Sequence, residues 1–335
     1  MVNGYSVTDM QHHFIPEAAL NLFTQTPEHD YTTGLRRYRR AYAIMADVGG
    51  HLEFMDEAGI DTAVLSTGAF TPNGREFCKV VNDFYADLVG KHPGRFIGMI
   101  HVFPLDDLAK NLEEIERAAD LGLWGLSLVT SYWQTTIDSP VMEPYFEAAR
   151  KYSMPVFIHP SVRISLWGGE KYDMYTTVSR EYDVAKALVE LIYGVLPKFP
   201  GLKVIVAHLG GGLPALKGRL LAWHQPEGFP MPEEDRRHGL SVHYAQELGL
   251  VEDFERRFDN VLLDSAGYGG WVPVMESAFR TVGPDHLCYA TDFPYELNRA
   301  SHARRFVTDV EGFAISAEDK KKFFSENVRK FFSKK

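Results

Sequence analysis

The chain has 335 residues, of which 45% are hydrophobic and 24% are charged, and its formal net charge is −10. This composition is ordinary for a globular enzyme with a sizeable core. A negative chain without clustered lysines and arginines disfavours nucleic acid as a partner. No apolar run approaches the roughly 20 residues of a membrane helix, so we expect no membrane partner. The two cysteines, Cys78 and Cys288, form no CxxC motif, which predicts a reducing, cytoplasmic location.

Eight short apolar runs predict β-strands, because they are rich in β-branched and aromatic residues. Most of them are almost continuously hydrophobic, which is typical of strands buried on both faces of a parallel sheet. In chain order the predicted strands are Tyr5–Met10, Thr62–Ser66, Phe96–Val102, Trp124–Val129, Val156–His159, Val204–Ala207, Val261–Asp264 and Leu287–Thr291.

Helix-like stretches with apolar residues at three- and four-residue spacing lie between these runs. The clearest are Glu76–Val89, Leu108–Leu121, Met142–Tyr152 and Val184–Leu196. Alternation of strands and helices predicts βα units. Eight such units favour a closed (β/α)₈ TIM barrel over an open sheet, and we expect residues 1–335 to form a single α/β domain of this kind.

Two segments are longer than ordinary barrel connections. Phe14–Gly50 follows strand 1, and Trp223–Glu252 follows the region of strand 6. Insertions of this length usually cover or build a site. We therefore expect an inserted loop after each of these two strands.

Polar side chains recur where the predicted strands end, at the face on which barrel enzymes carry their active sites. Imidazole and carboxylate groups are a common ligand set for zinc and related divalent metals. One histidine at a strand end is usually structural, but several on separate strands of one barrel predict a metal or catalytic site. Asp264 either orients a ligand or caps the next turn. The polar residues at these strand ends are His13, His159, His208, Asp264 and Asp292.

Alternation along strand 1 decides which of its polar residues face this site. Side chains two residues apart point the same way, so we expect Asp9, Gln11 and His13 to share a face. We expect His12 to point elsewhere. The metal interpretation requires His13 to be the inward histidine.

The strand-end motifs resemble those of a known group. This is the branch of the amidohydrolase superfamily (amidohydrolase family 2) that includes aminocarboxymuconate-semialdehyde decarboxylase and the hydroxybenzoate and resorcylate decarboxylases. The resemblance covers nearly the whole chain and implies an amidohydrolase-like barrel. Its markers include residues 9–16 (DMQHHFIP), 55–61 (MDEAGID), 157–160 (FIHP), 198–203 (KFPGLK), 207–214 (AHLGGGLP) and 291–294 (TDFP).

The resemblance implies one divalent metal ion, zinc or manganese, and no organic cofactor. It assigns His13, His159 and Asp292 as metal ligands. Gln11 stands where the family usually has His or Glu. Its neutral carbonyl oxygen can bind a metal, which makes Gln11 a fourth candidate ligand, but it brings no charge and is a poor zinc ligand. Three interpretations stay open: a weaker site of two histidines and one carboxylate, a Gln11 that contacts the substrate or a metal-bound water, or a metal that is dispensable or absent.

By the same resemblance His208 is a catalytic residue that acts as a base or otherwise moves protons, a task that suits a histidine titrating near neutrality. Asp292 is the second candidate for proton delivery. The hydroxybenzoate enzymes often have Glu soon after this histidine. This chain has Gly210, Gly211 and Gly212 there, as in the semialdehyde decarboxylase.

Three residues are candidates for substrate binding. Arg219 matches an arginine with which the semialdehyde decarboxylase reaches a neighbouring subunit's site, and this match implies a homodimer or larger homo-oligomer. Arg163 follows strand 5, where a guanidinium can pair with a carboxylate. Trp167 lies in the same loop and can stack on a flat substrate.

The predicted activity is metal-dependent, non-oxidative decarboxylation of a small aromatic or unsaturated carboxylic acid, a carbon–carbon lyase reaction. The alternative is a hydrolase or hydratase that acts on a lactone, amide or unsaturated acid with the same site. A barrel that binds a ligand without turnover is a third hypothesis, and only the departure at Gln11 favours it.

Overall fold

The computed structural model describes residues 4–20, 22, 41–69, 74–161, 172, 174–224 and 257–334. The strands are short and mostly buried, as expected for segments covered on both faces. In chain order they are β1 (Thr8–His13), β2 (Thr62–Ser66), β3 (Phe96–Gly98), β4 (Ile100–His101), β5 (Leu126–Val129), β6 (Ser131–Tyr132), β7 (Thr135–Thr136), β8 (Val156–His159), β9 (Val204–Val206), β10 (Val261–Asp264) and β11 (Leu287–Cys288).

The parallel strands form a closed barrel. Hydrogen bonds order them as β1-β2-β3 and as β11-β10-β9-β8-β5-β4, while β6 and β7 form a separate antiparallel hairpin. β3 and β4 are consecutive pieces of one strand, interrupted at Met99. At the other seam the Met10 amide donates to the Tyr289 carbonyl, 2.9 Å away, and His12 bridges to Phe293 in parallel. In the part of the chain that the structure describes, these contacts close the predicted ring of eight.

Helices cover the outside of the barrel, and capping residues set their ends. The Asp107 side chain accepts a hydrogen bond from the Lys110 amide, and Gly59 ends another helix at a φ of 78°. The described helices are α1 (Glu17–Leu20), α2 (Val48–Ala58), α3 (Arg75–Lys91), α4 (Leu108–Asp120), α5 (Glu143–Lys151), α6 (Arg180–Glu190), α7 (His208–His224), α8 (Val272–Thr281), α9 (Ala300–Glu311), α10 (Ala317–Lys321) and α11 (Asn327–Phe332).

Alternation along the strands divides the apolar side chains into two layers. Val64, Phe157 and Leu262 belong to the inner cluster of the barrel, whereas their neighbours in the chain belong to the outer cluster under the helices. Two residues after an inner position the side chain faces inward again, nearer the carboxyl end of the strand. This periodicity places His159 and Asp264 at that end of the barrel.

Strand β1 differs most from its prediction. It runs over Thr8–His13 rather than Tyr5–Met10, so its polar residues lie within the strand and not beyond it. Its register against β2 shifts between Asp9 and His12. A β-bulge adds one residue, and it therefore changes which side chains share a face on either side of it.

Most of the two predicted insertions lies outside the described residues. The chain segments concerned are 23–40 and 225–256, so the inserted loops stay predictions. Among the described ranges, no helix combines the length and apolarity needed to cross a membrane.

Candidate active site

The bulge in β1 separates four of its polar residues, Asp9, Gln11, His12 and His13, into two groups. Gln11 and His13 face the carboxyl end of the barrel, and their side-chain nitrogens lie 3.3 Å apart. Asp9 and His12 instead bond to each other, with His12 Nδ1 2.8 Å from Asp9 Oδ2. Asp9 also accepts a hydrogen bond from the Thr291 amide. The expectation that Asp9 shares the face of Gln11 and His13 is therefore wrong, because the bulge shifts the alternation.

Three predicted ligands come together at this end of the barrel. His13, His159 and Asp292 each offer one ligand atom, and these atoms all lie within 4.8 Å of one another. All three residues are buried. His13 Nε2 lies 2.8 Å from Asp292 Oδ1. Asp292 has a φ of 53°, a left-handed conformation that non-glycine residues seldom adopt and that is often found at functional sites.

The hydrogen bonding of His159 shows whether this cluster fits a metal ion. His159 Nδ1 donates to the Pro160 carbonyl oxygen, 2.8 Å away. Its Nε2 is buried and has no hydrogen-bond partner. A histidine held this way presents an unprotonated Nε2, which is the usual form of a metal ligand. Two imidazoles and a carboxylate thus fit a divalent cation.

The protonation states of the cluster agree with that fit. Burial, assisted by the nearby His13, holds the pKa of His159 well below its ordinary value, so this ring is neutral. Burial tends to raise the pKa of Asp292, but the hydrogen bond and charge of His13 outweigh it and the pKa is lowered. Asp292 is therefore a carboxylate. Both groups have the form that coordinates metal.

Gln11 lies at the centre of the same cluster. Its Nε2 donates to Asp292 Oδ1 at 2.8 Å and lies 3.4 Å from His208 Nε2. Its Oε1 is buried without a hydrogen-bond partner. An orphaned amide oxygen in this place can meet a cation or a substrate hydroxyl. Both interpretations of Gln11 within a working site therefore stay open.

His208 is paired with a carboxylate that sequence reasoning missed. Glu181 Oε1 lies 2.7 Å from His208 Nδ1, and Tyr268 Oη lies 3.5 Å from Glu181 Oε2. Burial acts to lower the pKa of His208, but the charge and hydrogen bond of Glu181 outweigh it and raise this pKa to about 9. The ring therefore carries a proton at neutral pH. The pKa of His208 thus lies above the near-neutral value that the sequence led us to expect.

Consecutive left-handed residues set the distance between His208 and α6. Positive φ angles run from His208 to Gly212, between 49° and 81°. A Cβ on Gly211 would lie 2.3 Å from the Glu181 carbonyl oxygen and 2.4 Å from the Ala185 amide nitrogen. Only glycine allows this approach. Glycine at position 211 thus allows the close approach of α6, the helix that carries Glu181.

Asp264 holds the backbone of this turn. Its Oδ1 accepts hydrogen bonds from the His208 amide at 2.9 Å and the Ala266 amide at 3.1 Å. Burial raises the pKa of Asp264 to about 7. The bond from the Ala266 amide is the predicted cap of the next turn, and the bond from the His208 amide also holds the backbone of the candidate catalytic histidine.

The segment after β2 approaches the cluster through its backbone. A Cβ on Gly68 would lie 2.8 Å from His13 Cε1 and 3.1 Å from His159 Nε2. The preceding residue is held by His101, whose Nε2 accepts from the Thr67 amide at 3.1 Å. Burial lowers the pKa of His101 to about 3, so it is neutral and can accept. Sequence reasoning missed His101, although alternation two residues beyond the inner Met99 could have identified it.

Of the three predicted substrate-binding residues, the described part of the chain includes only Arg219. Arg163 and Trp167 lie outside the described residues. Arg219 lies on α7 and lines an apolar cavity of about 310 Å³ between α6 and α7, together with Leu188 and Leu213. Its contribution to a neighbouring subunit's site stays a prediction.

Comparison with known proteins identifies similar chains over nearly the whole length. The family model described as Amidohydrolase matches residues 8–334. The chain is 26% identical over 304 residues to a gamma-resorcylate decarboxylase of Polaromonas, covering 84% of this chain and 86% of the relative. It is 28% identical over 178 residues to 2-amino-3-carboxymuconate-6-semialdehyde decarboxylase of Dictyostelium discoideum, covering 50% of this chain and 49% of the relative. The resemblance to both groups is confirmed.

Solved structures share the fold at low identity. The 5-carboxyvanillate decarboxylase LigW of Sphingomonas paucimobilis has a TM-score of 0.82 and 22% identity, with 99% of this chain and 100% of that chain covered. A dihydroxybenzoic acid decarboxylase of Polaromonas, with bound manganese and the inhibitor 2-nitroresorcinol, has a TM-score of 0.73 and 23% identity, with 98% and 97% covered. These likenesses confirm the barrel fold. The decarboxylase names of the relatives favour the predicted lyase reaction over the hydrolase alternative.

Proposed function

Since the chain belongs to the amidohydrolase family matched over residues 8–334, we propose that it is an enzyme that removes CO₂ non-oxidatively from a small aromatic or unsaturated carboxylic acid. One observation carries the proposal. The His13–His159–Asp292 cluster, whose ligand atoms lie within 4.8 Å of one another, lies beside a histidine that Glu181 keeps protonated. A cation site can bind the substrate carboxylate, and a neighbouring proton donor can supply the hydrogen that replaces it.

The three clustered residues would hold one divalent ion. Manganese is supported by its presence in the related Polaromonas structure, and zinc is compatible with the same ligand types. When bound, the ion would supply positive charge that holds a substrate oxygen in place. The proposed reaction needs no organic cofactor, because the substrate's own ring or conjugated system takes up the electron pair of the breaking bond.

The proton comes from His208. Glu181 occupies Nδ1 of His208, so Nε2 is the nitrogen left to face the cluster, 3.4 Å from Gln11 Nε2. In the proposed step the Nε2 proton passes to the ring carbon that bears the carboxylate. The bond between that carbon and the carboxylate breaks, its electron pair stays on the ring carbon system, and CO₂ leaves. His208 then regains a proton from water.

The two candidates for proton delivery, Asp292 and His208, differ in their protonation states. Asp292 is held as a carboxylate by His13 and has no proton to give. His208 is held as an imidazolium by Glu181. We therefore assign Asp292 to cation binding and proton delivery to His208.

The homodimer and the cellular location remain part of the proposal. Arg219 lines the apolar cavity between α6 and α7, and its predicted use toward a second copy of the chain is part of this proposal. Cys78 and Cys288 are buried and unpaired with each other, which agrees with a cytoplasmic, reducing environment.

The test is product analysis with purified, manganese-loaded enzyme. Candidate substrates are 2,6-dihydroxybenzoate and 5-carboxyvanillate, with other hydroxylated and amino aromatic acids and unsaturated semialdehyde acids. In D₂O the proposal expects CO₂ and a product with one deuterium at the carbon that lost it. Hydrolysis of lactones with incorporation of solvent ¹⁸O, and no CO₂ across the panel, would contradict it.

A further inference from the structure

Arg180 lies where helix α6 meets the candidate active site. It is the first residue of that helix, and its neighbour Glu181 bonds to His208 at 2.7 Å. The Arg180 charge acts on three groups of the site: it helps to lower the pKa of His159 and of Asp292, and it opposes protonation of His208. None of the sequence motifs pointed to this arginine.

The guanidinium of Arg180 is incompletely satisfied within the described residues. The residue is half-buried, and its Nε is buried with no hydrogen-bond partner. Among the ion pairs of the described ranges, none joins Arg180 to a carboxylate, because the adjacent Glu181 carboxylate is directed to His208. Burying an unpaired cationic donor costs free energy, so the arrangement favours an anionic partner that arrives from outside the chain.

We propose that Arg180 binds the carboxylate of the substrate. A guanidinium receives a carboxylate side-on through Nε and one terminal nitrogen, so the orphaned Nε is the atom that such a pair requires. The inference rests on the proposed function for the identity of the anion. It makes Arg180 a specificity-determining residue that distinguishes an aromatic acid from the neutral product left after CO₂ departs.

The consequence is a division between binding and turnover. The carboxylate loses its charge as CO₂ forms, so Arg180 stabilises the bound acid more than the transition state. Loss of the guanidinium therefore weakens binding of the acid and does not lower kcat. An interaction of a charged pair in a partly buried site corresponds to about 10- to 100-fold in affinity.

The experiment compares an acid with its decarboxylated analogue. Calorimetry measures binding of 2,6-dihydroxybenzoate and of resorcinol to wild type, R180Q and R180K, and kinetics gives KM and kcat. We expect R180Q to weaken the acid about 10- to 100-fold and to leave resorcinol unchanged. R180K retains the charge but loses the planar guanidinium, so we expect its affinity for the acid to lie between those of wild type and R180Q. R150Q, on the exposed Arg150–Glu147 pair of α5, is the matched control and behaves as wild type.

The outcomes separate this inference from the proposed function. Unchanged affinity of R180Q for the acid, equal weakening of acid and resorcinol, or failure of wild type to bind the acid would overturn the role of Arg180. Binding that depends on Arg180 without any CO₂ release would retain this role and refute the decarboxylase. CO₂ release with an unchanged KM in R180Q would support the decarboxylase and refute the role of Arg180. Thermal melting of each variant confirms folding, and R180K serves where R180Q does not fold.

Discussion

The Glu181 carboxylate lies 2.7 Å from Nδ1 of His208, and in the proposed reaction this pair determines which proton His208 gives. Strand β9 and the helix after β8 bring the two residues together from 27 positions apart in the chain. Because Nδ1 is bound, the imidazolium proton available to a substrate is the one on Nε2.

Removal of the Glu181 charge tests this relationship through the pH profile. The wild-type pKa of His208 is about 9, so activity that needs the protonated ring is full at neutral pH and falls as pH rises through about 9. In E181Q the raising influence is lost while burial remains, so this descending limb moves toward about 6.5 or below. At pH 8 the protonated fraction of the ring then falls at least about 30-fold, and we expect kcat to fall by the same factor.

The control for E181Q is E147Q, which removes an exposed carboxylate paired with Arg150. Its profile should match that of wild type. An E181Q profile that keeps its descending limb near 9, with only a lower plateau, would show that Glu181 does not set the protonation of His208.

Loss of a ligand from the metal cluster should abolish metal binding. His159 offers a buried Nε2 that has no other partner, so H159Q removes one of three donors. Even changes outside the ligand set cost 10- to 100-fold in affinity, so we expect a loss of at least about 100-fold. Metal analysis of dialysed protein and titration with Mn²⁺ measure it. H302Q, at an exposed histidine of α9, should bind metal as wild type does.

Gln11 supplies a separate test of the cluster. Its amide donates to Asp292 at 2.8 Å, so Q11E places two carboxylates side by side. Without metal they repel, and the melting temperature should fall. With metal the added charge should strengthen binding by about 10-fold and restore the melting temperature. Equal affinities of Q11E and wild type for Mn²⁺ would show that Gln11 does not adjoin the ion.

A methyl group at Gly211 should separate the Glu181–His208 pair. Its φ is +66°, and its Cβ would lie 2.3 Å from the Glu181 carbonyl oxygen. G211A thus combines backbone strain with displacement of α6, and we expect a loss of about 1–3 kcal/mol in unfolding free energy. The descending limb of the pH–activity profile should shift to lower pH, as in E181Q. G122A is matched for strain alone, since Gly122 has a φ of +100° and nothing within 4 Å; it should leave the limb in place.

The barrel and much of the cluster could be predicted because both depend on local patterns. Continuous apolar runs identified the strands, and β2, β8 and β10 have the predicted bounds. Residues at strand ends are then placed at one face by topology alone, which is why His13, His159 and Asp292 were found together. The boundary error in β1 arose from its bulge, which a two-residue period does not reveal.

The residues that approach the cluster from a helix, and not from a strand end, could not be predicted. Glu181 and Arg180 lie on a helix whose neighbour in space, the turn from His208 to Gly212, is fixed only by tertiary packing. The sequence showed three glycines where the hydroxybenzoate enzymes often have Glu. It did not show that a carboxylate on another helix, Glu181, contacts His208, because that contact depends on a clearance of a few ångströms.

The most direct measurement is release of ¹³CO₂ from carboxyl-labelled 2,6-dihydroxybenzoate and 5-carboxyvanillate by three preparations: manganese-loaded, chelator-treated and reloaded. The account predicts ¹³CO₂ from at least one acid with the loaded enzyme, none after chelation, and full recovery on reloading. Release that is equal in all three preparations would contradict the role given to the His13–His159–Asp292 cluster, and no release from either acid or the wider panel would contradict the reaction itself.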